Sequence, residues 1–141
     1  MIHFSAIFLS LFSCTLDKQA IRQSDREQAM LREFAQNHWD GVRWGFNDKA
    51  SAFVKDPKLR ATYLDKLAST GARVRYIDAQ VLHVEVGNEN EEKEAEWLRE
   101  GTVFVRVEAY GISSVLEVSN IEQQWVRDPE GWWLHLSPDE F

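Results

Sequence analysis

Hydrophobic positions recur with a helical period in the first half of this chain and with a period of two in the second. Ser24-Asp25-Arg26-Glu27 matches a capping box, in which serine caps a helix and glutamate reaches back. Met30, Leu31, Phe34, Ala35 and His38 follow at helical spacing, which predicts a helix over Asp25 to Trp39, broken at Asp40-Gly41. A shorter helix is expected around Asp48 to Val54. Asp56-Pro57 then starts a third, with aspartate as N-cap and proline in the first turn. Leu59, Tyr63, Leu64 and Leu67 form its apolar stripe, and Gly71 is its expected stop. From Arg73 the pattern changes. Arg73 to Val86 reads as a strand, and the polar stretch Gly87 to Glu94 interrupts it. Thr102 to Tyr110 alternates, with Val103, Val105, Val107 and Ala109 on one face and Phe104, Arg106, Glu108 and Tyr110 on the other. Ser114 to Arg127 reads as a long strand with a possible bulge, Asp128-Pro129-Glu130-Gly131 as a turn and Trp132 to Leu136 as the last strand. Helices followed by an antiparallel meander predict an α+β domain, with N-terminal helices packed on a curved antiparallel sheet.

Ahead of this domain lies an apolar run, Ile2 to Ser13, without Asp, Glu, Lys or Arg, ending at the chain's only cysteine, Cys14. It is too short to span a bilayer, which takes about 20 apolar residues, and has the length of a secretory signal. Leu11-Phe12-Ser13-Cys14 resembles the bacterial lipobox. That resemblance implies a signal peptide over residues 1–13, cleavage before Cys14, and a lipidated Cys14 carrying more than one acyl chain, enough for firm anchoring. An ordinary signal cleaved elsewhere, or a buried thiol, would be the plainer alternative. Residues 14–23 then read as a lipidated tether and 24–141 as the domain. A lone cysteine leaves no intrachain disulfide to expect.

Composition narrows the function. About 127 residues beyond Cys14 make one domain, and 44% hydrophobic content with six tryptophans supports a real core. The formal net charge of −7 lacks the basic footprint of a nucleic-acid binder. It also lacks the cationic cluster that anionic headgroups would require, so a lipid would be the anchor.

Trp39 to Asn47 followed by Ala50 to Val54, and the ending Gln123-Gln124-Trp125-Val126-Arg127 with Gly131-Trp132-Trp133-Leu134, resemble nuclear transport factor 2-like domains. The resemblance covers roughly Asp25 to Leu136 and implies a cone-shaped, cystatin-like fold with an interior cavity. That family's enzymes, of the ketosteroid isomerase and dehydratase type, place an acidic base and a hydrogen-bond donor inside the cone. No short motif here carries such a residue over, and the fold also hosts plain binding modules.

Candidate chemistry is sparse. Asp78, His83, Glu108 and His135 are ionisable residues on expected strands. Asp78 with Tyr76 as donor would suit a cavity acid or base, but a solvent face is the preferred reading for Asp78 and Glu108. The two histidines have no third ligand at metal-site spacing, so neither a metal nor a cofactor is expected. The acidic stretch Glu89 to Glu96 lacks the ligand pattern of a calcium loop. Aromatic side chains are the richer set. Trp44, Tyr63, Tyr76 and Trp125 are expected to wall a ligand site, with Glu108, Tyr110 and Gln123 as polar candidates, although ordinary core packing explains many such residues. Trp125 and Trp133 are candidates to pair across the last hairpin. The sequence therefore points to a lipid-anchored protein on the outer side of a bacterial membrane. It would act as a binding or structural module for an envelope partner protein or a small apolar ligand, with a cavity-carboxylate enzyme as the alternative.

Overall fold

The structure, a computed structural model, describes residues 10–87 and 99–137. The elements are α1 (Ser10–Arg43), α2 (Asn47–Ser51), α3 (Pro57–Gly71), β1 (Arg75–Val86), β2 (Arg99–Tyr110), β3 (Leu116–Asp128) and β4 (Gly131–His135). The four strands form one open antiparallel sheet in the order β1-β2-β3-β4, each joined to the next in sequence, and the helices pack on one face. The α+β expectation holds at this level. The acidic stretch Glu89 to Glu96 and most of the expected signal peptide lie outside the described residues.

Helix α1 is longer than its pattern suggests. The expected cap at Ser24 lies inside it, and the stretch read as a tether is helical in backbone. Residues 15–40 contain neither glycine nor proline, and most are good helix formers, so nothing local stops the helix there. Gly41 does not break it either. A Cβ on Gly41 would lie 3.2 Å from the Ala50 backbone nitrogen, so the missing side chain lets α2 pack against α1. The true stop is Gly45, at φ +72°. Its N–H donates to the Val42 carbonyl (3.2 Å) and that of Phe46 to the Gly41 carbonyl (2.8 Å). This is the paired bonding of a Schellman end, which needs a left-handed residue.

Helix α3 starts as expected: the Asp56 carboxylate accepts from the backbone nitrogens of Lys58 (2.8 Å) and Leu59 (3.0 Å).

The core lies between α1 and the sheet. Leu31, Ala35, Trp39 and Val42 of α1 meet Val81, Val103, Val105, Val107, Trp125, Trp132 and Leu134. Gly101 sits beneath Leu31 and Trp132; a Cβ there would come within 2.3 Å of Leu31 Cδ2, so bare backbone is needed for α1 to approach. Glu27 of α1 is buried and forms an ion pair with Arg127 of β3 at 2.9 Å.

Helix α1 also shields one edge of the sheet. The Gln36 amide oxygen accepts from Val81 N (3.1 Å) and its nitrogen donates to the Ala79 carbonyl (3.1 Å). Arg32 donates to the Val81 carbonyl (3.1 Å). Side chains thus occupy backbone groups of β1 that another strand would otherwise use.

The last hairpin corrects one expectation. Trp125 pairs with Leu134, while Trp133 pairs with Val126. Adjacent positions on a strand point to opposite faces, so Trp125 and Trp133 are not partners. Trp132 is the hairpin tryptophan that joins Trp125 in the core. Asp128 fixes the turn by accepting from the backbone nitrogens of Glu130 (2.8 Å) and Gly131 (3.2 Å) and from the Lys55 ammonium. Burial alone would raise the Asp128 pKa; the hydrogen bond and charge of Lys55 and the hydrogen bond from the Glu130 backbone outweigh it and hold the carboxyl at about 2.

Candidate functional site: an aromatic groove

The end of α1, the α1–α2 corner and the β3–β4 turn enclose a groove of about 600 Å³. Phe34, Trp44, Phe46, Phe53, Trp132 and Trp133 supply its aromatic lining, and Asn37, Asp40, Lys49 and Glu130 its polar groups. Local structure explains the assembly. The turn at Gly45 throws Trp44 and Phe46 outward, where they remain 64% and 54% exposed. Phe34 and Phe53 form the inner wall, edge to face with centroids 5.9 Å apart. The Arg43 guanidinium lies 4.8 Å from the Trp44 ring centroid and the Lys49 ammonium 5.1 Å from that of Phe46. Such cations favour aromatic faces and help to hold these two exposed rings in place. The Trp132 indole nitrogen is buried and has no hydrogen-bond partner among the described residues.

A second cluster is closed rather than open. His38 is fully buried, with its Nε2 2.7 Å from the Tyr63 hydroxyl. The two rings stack at 16° with centroids 6.0 Å apart, and Trp39, Phe53 and Trp125 meet His38 edge-on. Burial lowers the His38 pKa to about 3 and raises that of Tyr63. Both groups are therefore neutral at physiological pH. Nδ1 has no partner among the described residues. Donation from the Tyr63 hydroxyl to Nε2 leaves one unpaired N–H, fewer unmet groups than the reverse arrangement. The pair is a structural one, because substrate has no access to a fully buried ring.

The residues expected to share a site are dispersed. Only Trp44 lines the groove. Tyr63 and Trp125 are core residues, and Tyr76 packs at the core margin. Gln123 accepts from the Trp39 indole at 2.9 Å. Glu108 pairs with Arg106 at 2.7 Å on the sheet face away from α1, and Tyr110 ends β2, far along the strand from the β3–β4 turn. Asp78 pairs with Arg43 at 3.5 Å. His83 is exposed, 3.2 Å from Glu85 and stacked on Phe104; His135 is exposed at the end of β4. Among the described residues, no group of three His, Cys, Asp or Glu is placed to hold a metal ion. Sequence reasoning missed the floor of the groove, Phe34, Phe53 and Trp132, because nothing local says that a helix stripe and a hairpin converge. His38 was the more legible omission: it shares the stripe of Leu31 and Ala35, which marks it as buried.

No protein-family model matches this chain, and no curated protein matches it. Solved structures do. A SEC-C motif-containing protein from Rhodopseudomonas palustris is similar over 70% of this chain and 69% of its own, with a TM-score of 0.52 and 14% identity. The intermembrane space region of the chloroplast protein ARC6 matches over 77% of this chain and 92% of its own, at a TM-score of 0.47 and 13% identity. The first likeness shows a shared fold and no more. The resemblance to nuclear transport factor 2-like domains is therefore corrected: the fold match is to a SEC-C motif-containing protein, and the sheet is a small open meander of four strands. The misreading came from short aromatic stretches, Trp39 to Asn47 and Trp132-Trp133, which the structure explains by a helix end and a hairpin.

Proposed function

We propose that this protein is a non-catalytic binding module that takes a small apolar ligand in the aromatic groove. The observation that carries the reading is the exposure of Trp44 and Phe46 beside a groove of ligand size. Two large exposed rings held by cations over their faces make a prepared apolar surface. Small apolar pockets with a few polar groups fix a ligand by shape, and Asn37, Lys49 and Glu130 supply those groups here. The enzyme alternative required Asp78 or His83 inside a cavity. Both are instead engaged elsewhere, with Arg43 and Glu85, and neither lines the groove.

Titration with a naphthalene-based fluorophore tests the reading. The probe should quench or shift tryptophan emission at saturable, micromolar levels. Trp44→Ala should weaken binding about tenfold without changing the melting temperature, since the ring is mostly outside the core. Equal binding by wild type and variant would remove the groove as the site.

The proposed setting is the outer face of a bacterial membrane, with a lipid on Cys14 as the anchor. Its support is the apolar run ending in Leu11-Phe12-Ser13-Cys14. No helix of the described residues is long and apolar enough to cross a membrane. Cys14 lies within the backbone span of α1, and Glu27 is the first buried side chain among those described on that helix. At 1.5 Å per residue, a helix from Cys14 would hold the domain about 20 Å from its anchor. Mass spectrometry of the membrane fraction should find a diacylated or triacylated peptide beginning at Cys14. An unmodified chain still carrying residues 1–13 would refute the anchor.

A further inference from the structure

We propose that the uncovered half of β3 pairs with the same segment of a second copy, antiparallel about a two-fold axis at Val118. The proposal rests on backbone pairing. β3 pairs with β2 from Leu116 to Arg127, but with β4 only from Gln124 to Asp128. Residues 116–123 therefore present one backbone edge that no described strand occupies. The opposite edge of the sheet, in β1, is shielded by Gln36 and Arg32, so the two edges are treated differently. An unshielded edge is a template for another strand.

The side chains at this edge are those of a contact surface. Ile112, Val115, Leu116 and Val118 are all exposed at one corner of the molecule, on and beside the β2–β3 turn. α1 lies over β1 at the other side of the sheet and leaves the corner open.

Self-complementarity selects a second copy over a foreign strand. With the axis at Val118, Val118 meets its own copy and Leu116 meets Asn120. Val115, one residue before β3, comes level with Ile121. The edge carboxylates do not oppose each other: Glu117 meets Ser119, and Glu122 lies past the end of the pairing, because Ser114 has already left the strand direction at φ +57°. Apolar pairs directly opposite one another stabilise a sheet, and like charges there would oppose it. The same two-fold leaves both aromatic grooves free, because they lie at the β4 side of the turn.

One strand pair buries less than the roughly 800 Å² per partner of standard interfaces, so the dimer should depend on concentration. Sedimentation of the full chain, kept reduced, should show monomer at about 5 μM and substantial dimer at about 500 μM. Val118→Lys places two ammonium groups at the axis and should weaken the dimer at least tenfold, leaving the monomer's melting temperature unchanged. In a Cys14→Ser background, Val118→Cys should form a disulfide dimer on oxidation, because directly opposed Cα atoms lie about 4.5–5.5 Å apart, within the span a disulfide bridges. Asn120→Cys, whose copies would be offset by four residues, should not. Amides of residues 116–120 should gain exchange protection on the edge facing away from β2 only at high concentration. Three results would overturn the proposal. One is monomer throughout the range. Another is protection already complete at low concentration, which would mean that the chain's own residues cover the edge. The third is a dimer indifferent to Val118→Lys and not captured by Val118→Cys.

Discussion

Val105→Asp should abolish cooperative folding. Val105 is wholly buried at the centre of β2, with Val81 and Ile121 opposite it on the neighbouring strands. Its face of the sheet is covered by α1 through Leu31, Ala35 and Trp39. An aspartate there would either bury a charge without a partner or take up a proton and bury an unpaired hydroxyl. The first costs about 3–5 kcal/mol or more, against a total stability of about 5–15 kcal/mol for a domain of this kind. Val105→Ala separates charge from cavity: losing two methyl groups should cost about 2 kcal/mol and keep a two-state transition. The same charge on the opposite face, Thr102→Asp, should cost less than about 1 kcal/mol. Urea unfolding followed by tryptophan emission reads all three. A Val105→Asp midpoint close to wild type would place that side chain outside the core.

What made Val105 legible was strict alternation. From Val103 to Val107 of β2 each second residue is valine, and the period of two assigns the faces without tertiary information. The Asp56-Pro57 start of α3 was legible for a similarly local reason, since the cap is made by residues next to each other in sequence. The end of α1 was not. Asp40-Gly41 has the composition of a helix stop, but Gly41 is there for the closeness of Ala50, a contact invisible to local pattern. The capping box at Ser24 failed because a cap signature starts a helix only where the preceding residues disfavour one. The groove was least legible of all. Its parts come from α1, the α1–α2 corner and the last hairpin, and only the approach of α1 over Gly101 brings Phe34 to the Trp132 side of the sheet. Local sequence supplied aromatic residues in abundance; tertiary packing decided which went to the core, as Tyr63 and Trp125 did, and which stayed exposed, as Trp44 and Phe46 did.

Acid should destabilise this protein in two successive windows that overlap slightly, and His38 sets the first. Burial among Tyr63, Trp125, Phe53 and Trp39 penalises the imidazolium, so the folded-state pKa is about 3 against an ordinary 6.5. Between those values the unfolded chain binds a proton that the folded chain does not. Stability therefore rises with pH there, and it is lost as pH falls below 6.5, at about 1.4 kcal/mol per pH unit. From pH 7 to pH 5 the loss from this residue should be about 2 kcal/mol. Asp128 acts lower down. Its folded pKa of about 2 lies below the ordinary 3.8, so its contribution is present above 3.8 and lost as pH falls through 2. The windows identify the residues. His38→Phe replaces the titrating ring by a somewhat larger apolar one; paired with Tyr63→Phe, which removes the facing hydroxyl and makes room, it leaves no buried hydroxyl without a partner. That double variant should show nearly flat stability between pH 7 and pH 5, while retaining the loss below pH 4. His38→Phe alone strands the Tyr63 hydroxyl and should cost about 1–3 kcal/mol at pH 7 beyond the double variant. Urea titrations at half-unit pH steps decide the matter. A wild-type slope between pH 7 and pH 5 that survives in the double variant would assign the acid sensitivity to another group and reopen His38 as an accessible, chargeable residue.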